Sequence, residues 1–326
     1  MKLPRRKFLH LAAAGAALPA VSRFAWAQAY PTRPITMIVP FPAGGIVDAV
    51  GRVLAERMRG SLGQPIVIEN VSGANGSIGT GRAARARPDG YTIDLGVAGT
   101  HVLNGAFYSL PYDVLKDFEP ILPLETNPIV LYARNTMPAK DLIQLIDWLK
   151  NNPNKASAGI VALGPHLETA LFQKQTGTQF ALVPYRGGAP VIQDLVAGHL
   201  DLLFAPPDQL ALVRAGSMKA YAVTSDTRSA LAPDIPTFAE MGLPLLSFSA
   251  WTGLFAPRGT PRDIIGKLSA AAMEALADPA VRSRLAALGT EVFPREQQTP
   301  ERLAALQKAD AEKWWPLIKE FGIRAE

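Results

Sequence analysis

Apolar residues along this chain follow two patterns that alternate. Short unbroken runs, Ile35–Val39, Ile66–Glu69 and Tyr91–Val97, read as buried strands. Between them, Val47–Met58 and Ser77–Ala86 carry apolar residues at three-to-four spacing and read as helices. A second cycle places strands at Ile129–Ala133, Phe180–Pro184, Leu200–Phe204 and Met218–Thr224. Its helices fall at Leu142–Asn151, His166–Thr176, Ala189–Ala197 and Gln209–Ala215. After a further strand, Thr252–Ala256, the tail turns helical over Pro261–Ala277, Pro279–Leu288 and Pro300–Phe321. Each tail helix opens at a proline, where the missing N–H costs nothing. Strand–helix alternation implies an α/β fold, with a parallel sheet and helices on both faces.

Two extended apolar stretches, Pro123–Tyr132 and Leu245–Phe255, interrupt that rhythm. As strands crossing between lobes, they would put residues 28–127 and 251–326 in lobe I and residues 128–250 in lobe II. Two α/β lobes with two crossovers and a cleft between strand ends make a periplasmic-binding-protein architecture. Ligands of open α/β sheets sit at strand C-termini, so the loops after each strand are the places to look. The first such loop is the most suggestive. Pro40 and Pro42 halt the strand, and Gly44-Gly45 opens onto a helix. A glycine turn at a helix N-terminus exposes N–H groups beside the positive end of the dipole, which favours a carboxylate or phosphate. An ordinary strand–turn–helix connection is the plainer alternative.

Residues 1–27 have the build of an export signal: a basic start, an apolar run Leu9–Val21, and Ala25-Trp26-Ala27 for cleavage. Arg5-Arg6-Lys7-Phe8-Leu9 resembles a twin-arginine motif, with a plain Sec signal as the alternative. Both routes lead to the periplasm. The leader holds five of the 33 basic residues and none of the 28 acidic ones, so the remainder balances at zero. Nucleic acid therefore loses its electrostatic warrant as a partner. Without cysteine there is no lipid anchor, disulfide or thiol chemistry. No cofactor motif is present, and His101, His166 and His199 lack metal-ligand spacing.

Many short pieces, taken together, resemble one family. They are Tyr30-Pro…Arg33-Pro-Ile, Pro40-Phe-x-Ala-Gly-Gly-x-x-Asp48, Leu62-Gly-Gln-Pro-Ile-Val-Ile-Glu-Asn70 and Gly73-Ala-Asn-Gly-Ser-Ile-Gly79. Pro88-Asp-Gly-Tyr91, Gly99-Thr-His101, Leu110-Pro-Tyr-Asp113 and Val183-Pro-Tyr-Arg-Gly187 follow. Ala222-Val-Thr-Ser225, Leu231-Ala-Pro-Asp-Ile-Pro-Thr237 and Leu254-Phe-Ala-Pro257 complete the set. In order and spacing they resemble the Bug-type solute receptors of tripartite tricarboxylate transporters. The resemblance implies a two-lobed receptor with mixed sheets flanked by helices. Such a receptor closes on a small organic carboxylate and delivers it to membrane transporter subunits, and a monomer is the default expectation.

The resemblance also implies that backbone amides hold the carboxylate. In the first loop these are the N–H groups of Ala43, Gly44 and Gly45. Phe41 either covers the ligand or packs beneath, and Asp48 either caps the helix or orders water beside the ligand. Asn75 or Gly76 adds one contact from a glycine loop that is otherwise structural and lacks a P-loop ending. Ala98, Thr100, His101 and Asn104 follow the third strand, with His101 either a donor or a buried, satisfied imidazole. Lobe II is expected to supply Gly159, Ile160, Gly164, His166, Thr169, Arg186, Gly187, Gly188, Ala205 and Asp208.

Departures from the family pattern bear on the ligand. Ile160-Val-Ala-Leu163 replaces small polar residues, Ala205 stands for an acidic one, and Ile46 and Val47 are unusually apolar. Lining of this kind favours an apolar or aromatic ligand body, because a second carboxylate would lack donors. Inward packing of the same residues is the competing account. Arg186, in place of a frequent Lys, would pair a distal carboxylate if one exists. An Asp48/His101 hydrolase or isomerase is a remote alternative, and a ligand-sensing subunit of a signalling protein is a closer one. Trp314, Trp315 and Phe321 read as packing of the last helix.

Overall fold

The computed structural model describes residues 30–161, 163–185, 187–225, 227–229 and 232–322, and the expected export leader and Arg186 lie outside them. In chain order the elements begin with β1 (Ile35–Val39), α1 (Ile46–Leu62), β2 (Ile66–Asn70), α2 (Ser77–Ala84) and β3 (Thr92–Val97). One π-helical turn, Gly99–Leu103, runs into α3 (Asn104–Phe107), then β4 (Phe118–Pro128) and β5 (Val130–Arg134). Next come α4 (Leu142–Asn151), β6 (Ser157–Ile160), α5 (Leu163–Thr176), β7 (Ala181–Pro184), α6 (Gly188–Ala197) and β8 (Leu202–Ala205). The chain ends with α7 (Leu210–Arg214), β9 (Met218–Val223), β10 (Ser249–Pro257), α8 (Arg262–Ala277), α9 (Pro279–Ala287), β11 (Glu291–Val292) and α10 (Pro300–Phe321).

These strands build two sheets, ordered β11-β4-β10-β3-β1-β2 and β7-β6-β8-β5-β9. The βαβ units do pair in parallel: β1 with β2 and β3, and β6 with β7 and β8. The sheets are nevertheless mixed. β10 lies antiparallel between β3 and β4, and β5 is antiparallel to both its neighbours. Only Ile129 separates β4 from β5, so the chain passes from one sheet to the other almost without a turn. On the return, Pro244–Leu246 forms a 3₁₀ turn rather than strand, which corrects the start of the second extended stretch. Phe248 N–H then donates to the Thr224 carbonyl (2.8 Å), and β10 begins one residue later.

Local chemistry sets the helix ends. Asp141 caps α4 by accepting from Gln144 N–H (2.8 Å), and Thr299 caps α10 through Arg302 N–H (3.1 Å). α1 ends in Gly63 at φ 66°, a left-handed position suited to glycine. Its Val50, Val53, Leu54 and Met58 are buried in one cluster with Met37, Ile93 and Leu95 of the first sheet. A second cluster is continuous across both sheets, from Val102 and Phe255 to Phe172 and Phe204. Trp314 is buried in it and Trp315 Nε1 donates to the Val102 carbonyl (3.0 Å), while the Phe321 side chain lies outside the described residues.

α2 rests directly on the end of β1. A Cβ at Gly79 would lie 2.5 Å from the Val71 carbonyl oxygen and 3.0 Å from Pro40 Cα. Both are backbone atoms that cannot rotate away. Gly79→Ala is therefore expected to destabilise the fold by about 1–3 kcal/mol, the usual range for overpacking. A thermal melt reads this as a drop of about 2–4 °C per kcal/mol. An unchanged melt would mean that helix and strand end are not in contact.

Candidate ligand-binding site

The loop after β1 is held open by a polar network beneath it. Asp48, at 3% exposure, accepts from Gly44 N–H (2.9 Å) and Arg52 Nε (2.9 Å) on one oxygen and from Asn70 Nδ2 (2.9 Å) on the other. Asn70 Nδ2 also donates to the Phe41 carbonyl (3.1 Å), and Arg52 reaches the Asn70 Oδ1 (3.3 Å). The Arg52 hydrogen bond holds the Asp48 carboxyl down at about 2. The network ties together both ends of the Phe41–Gly45 loop, α1 and the end of β2.

Its upper surface faces solvent. Ala43, Gly44 and Gly45 are exposed, and the N–H groups of Ala43 and Gly45 have no acceptor among the described residues. The Gly44 N–H is engaged by Asp48, so it is corrected from ligand donor to scaffold. Asn70 and Arg52 were missed in the sequence. The Asp48/Arg52 spacing of four on a helix was the available signal. Phe41, Ile46 and Val47 are half-buried around the loop.

The next two loops pack against this one. Gly76 sits at φ 87°, and a Cβ there would fall 2.6 Å from Thr100 Cγ2 and 3.2 Å from Pro40. Asn104, 1% exposed, donates to the Asn75 carbonyl and the Ser77 hydroxyl (both 2.9 Å). The exposed Asn75 side chain donates to Tyr108 Oη (2.5 Å). Ala98 is buried. Thr100 and His101 are fully buried and depart from the expectation of ligand contact. Val97 N–H donates to Thr100 Oγ1 (3.1 Å), and that hydroxyl also lies 3.1 Å from the Val97 carbonyl and 3.0 Å from His101 Nδ1.

His101 takes the buried reading. Its ring stacks on Phe255 (centroids 3.9 Å apart, 15°) over Gly96, where a Cβ would collide with it at 2.3 Å. Its Nε2 lies 3.6 Å from Asp94 Oδ2, and both groups are fully buried. Burial pushes the imidazole down to about 3 and the Asp94 carboxyl up to about 8, so both are neutral at neutral pH. Asp48 and His101 thus face different surroundings and form no acid–base pair.

Across the seam, Ile160, Pro184 and Ala205 end the adjacent parallel strands β6, β7 and β8. Ile160 is half-buried, and its carbonyl accepts from Tyr185 N–H (2.8 Å). Val161 and Ala205 pack in the core of this lobe, so part of the expected apolar lining turns inward. Gly159 is a packing glycine: a Cβ would meet Val191 at 2.3 Å and Leu200 at 2.8 Å. Thr169 is fully buried and spends its hydroxyl on the Pro165 carbonyl (2.6 Å).

His166 lines a groove with Ala170, Gln173 and Lys174 on the outer flank of α5. Gly164 is half-buried in the first turn of that helix. Gly187, at φ 137°, caps α6, and Gly188 opens it with N–H groups that have no acceptor among the described residues. Asp208 is exposed beside Gly289, where a Cβ would lie 3.5 Å from its backbone nitrogen, and partial burial raises its carboxyl. α5 itself packs against the π-turn Gly99–Leu103, bringing the second lobe onto the loops of the first. Among the described residues, no cluster of His, Cys, Asp and Glu could hold a metal.

Residues 50–323 match the profile of the tripartite tricarboxylate transporter family receptor. Protein BugT of Bordetella pertussis is 37% identical over 322 residues, covering 97% of this chain and 96% of its own. Three solved structures share the fold at high coverage. Periplasmic binding protein BugD superposes with a TM-score of 0.78 at 37% identity, over 91% of this chain and 100% of its own. MatC of Rhodopseudomonas palustris, with bound malate, gives 0.77 at 37% identity over 89% and 100%. Rpa4515 of R. palustris, with adipate, gives 0.79 at 32% identity over 90% and 99%. By profile, sequence and two-lobed fold, this chain belongs to the tripartite tricarboxylate transporter receptor family, whose members are solute-binding receptors and not enzymes.

Proposed function

We propose that this protein is a periplasmic receptor that closes on a small organic carboxylate and hands it to a tripartite tricarboxylate-type membrane transporter. The observation that carries the reading is the Phe41–Gly45 loop. Exposed Ala43 and Gly45 N–H groups stand at the N-terminus of a 17-residue helix, over a scaffold that fixes their direction. No helix among the described residues is long and apolar enough to cross a membrane. Lobe I comprises residues 28–127 and 251–326, and lobe II residues 128–250. The receptor acts as a monomer, and a ligand touching both lobes stabilises the closed form by its preference for that state.

The ligand we favour has an apolar body. Ile46, Val47 and Ile160 keep half-buried apolar side chains, and adipate, present in a relative's structure, joins its carboxylates by methylenes. A thermal-shift screen of the mature chain against malate, citrate, adipate, acidic amino acids and aromatic acids tests both statements. A ligand at a hundredfold excess over Kd adds about 2.7 kcal/mol, enough for a clear rise in melting temperature. Shifts with adipate or aromatic acids are expected. A shift with citrate alone would sink the apolar ligand, and silence across the panel would sink the carboxylate receptor.

A further inference from the structure

Glu168 has no part in the site described so far. It lies in the second turn of α5, is 2% exposed, and neither carboxyl oxygen has a hydrogen-bond partner among the described residues. Helical geometry puts Glu168 on the same face as Leu171 and Phe172, three and four positions on, in the middle of the buried side of α5. One flank of that face belongs to the second lobe, where Phe172 packs against Phe180, Phe204 and Phe238. The other flank turns to the first lobe. There Lys174 pairs with Glu320 of α10, and the helix meets the π-turn Gly99–Leu103. Glu168 therefore projects between the two flanks, at the seam near the strand ends.

Packing alone gives no reason for a carboxyl at this point, since a leucine would fill it without a desolvation penalty. Burial pushes the carboxyl up to about 8, so at neutral pH it keeps its proton. It is then an O–H donor with nothing to donate to. The charged and titratable neighbours do not change this. The π-turn offers His101, which is buried and neutral, and α10 offers Glu320, which is held by Lys174. His166 and Lys174 of α5 line its outer groove. β6, β8 and Pro244–Leu246 bring no ionisable side chain.

We propose that Glu168 is a specificity-determining residue of the cleft, donating a hydrogen bond as a neutral acid to an acceptor oxygen of the bound carboxylate. The proposal rests on the receptor reading above. It selects ligands that present an acceptor at the seam, and it requires the carboxyl to hold its proton. An exposed glutamate titrates at about 4.3. Burial already lifts Glu168 to about 8 in this structure, so its proton is in place at neutral pH and is lost only as pH climbs past 8, where a carboxylate would face the ligand's own oxygen. Affinity then falls as pH rises, by up to about tenfold per unit.

The test uses the mature chain and the acid that gives the largest thermal shift, with adipate as the first probe. If no acid shifts the wild type, the receptor reading fails, and this inference with it. If one does, calorimetric titration from pH 6.5 to 9.5, in buffers of differing ionisation enthalpy, measures the proton count. The proposal expects uptake near zero at pH 6.5, rising towards one proton above pH 8. It also expects Glu168→Gln, which keeps a donor, to hold affinity within about threefold at pH 7 and flatten the pH dependence. Glu168→Leu, still folded by circular dichroism, should lose about tenfold or more. Zero proton uptake by the wild type at pH 9.5 overturns the proposal without any variant. So does a Glu168→Gln variant that keeps the wild-type slope, or one that loses binding while wild-type affinity rises with pH. That last pattern would mean an ionised Glu168 holding a cationic ligand group.

Discussion

Replacing Asp48 with alanine should lower the melting temperature of the receptor by several degrees and weaken carboxylate binding more than tenfold. The side chain accepts three hydrogen bonds, from Gly44 N–H, Arg52 and Asn70, while almost wholly buried. Hydrogen bonds to a charged group are worth about 1.5–3 kcal/mol each, and removing this one acceptor strands donors on three different elements. A loss of about 3 kcal/mol is a reasonable floor. The binding defect has a separate cause. Without Asp48 nothing fixes the Gly44 peptide, and the neighbouring Ala43 and Gly45 N–H groups lose their common direction. Asp48→Asn separates charge from shape, because it places an amide NH₂ against existing donors. The wild type also carries a pH signature here. The Asp48 carboxyl is depressed, so its stabilisation is complete above the ordinary value of about 3.9 and fades as pH falls towards 2. Melts between pH 2 and 5 should show a steeper loss for wild type than for Asp48→Asn. Matching curves would remove Asp48 from its place in the scaffold.

Such residues show where sequence pattern suffices and where it stops. α4 at Leu142–Asn151 and α10 at Pro300–Phe321 were legible to the residue, because a periodic apolar face meets a clear start signal in each. The strand–glycine–helix unit at Ile35–Gly45 was equally plain, and it does carry the exposed amides. Pairing across long separations was not legible. Nothing local to Ser249–Pro257 says that it enters between β3 and β4, strands it follows by more than a hundred residues. Polar residues misled for a different reason. Thr100, His101 and Asn104 look like a site because their type suggests exposure, yet each is buried and hydrogen-bonded to a neighbour through at least one atom. Glu168 shows the opposite error. A glutamate in a helix reads as solvated, and only the three-dimensional packing places it at the centre of a buried face.

The largest loss of stability is expected at Trp251, where β10 meets the last helix. The side chain is 2% exposed, and its Nε1 donates to Asp310 Oδ2 of α10 (2.7 Å). Trp251→Ala removes one of the largest side chains from the cluster that spans both sheets, a change worth about 3–5 kcal/mol. It also strands Asp310, whose carboxyl is already raised by burial, which adds about 1–3 kcal/mol. At about 2–4 °C per kcal/mol the melt should fall by 10 °C or more. Trp251→Phe isolates the second component, since the ring volume largely remains while the N–H donor goes. A fall of only a few degrees is expected for it. The position matters for function as well as stability, because Trp251 pairs with Thr126 and its neighbour Thr252 with Glu125 on β4. These two strands carry the chain between the sheets, and Glu125 is fully buried there with Asn127 as its donor (3.0 Å). The hydrogen bond from Trp251 anchors α10 to the crossover strands, away from the Phe41–Gly45 loop. Affinity of Trp251→Phe for the panel ligand should therefore drop less than its stability suggests, as long as the measurement is made well below its melt. A loss of binding at full folding would instead place Trp251 in the closing motion itself.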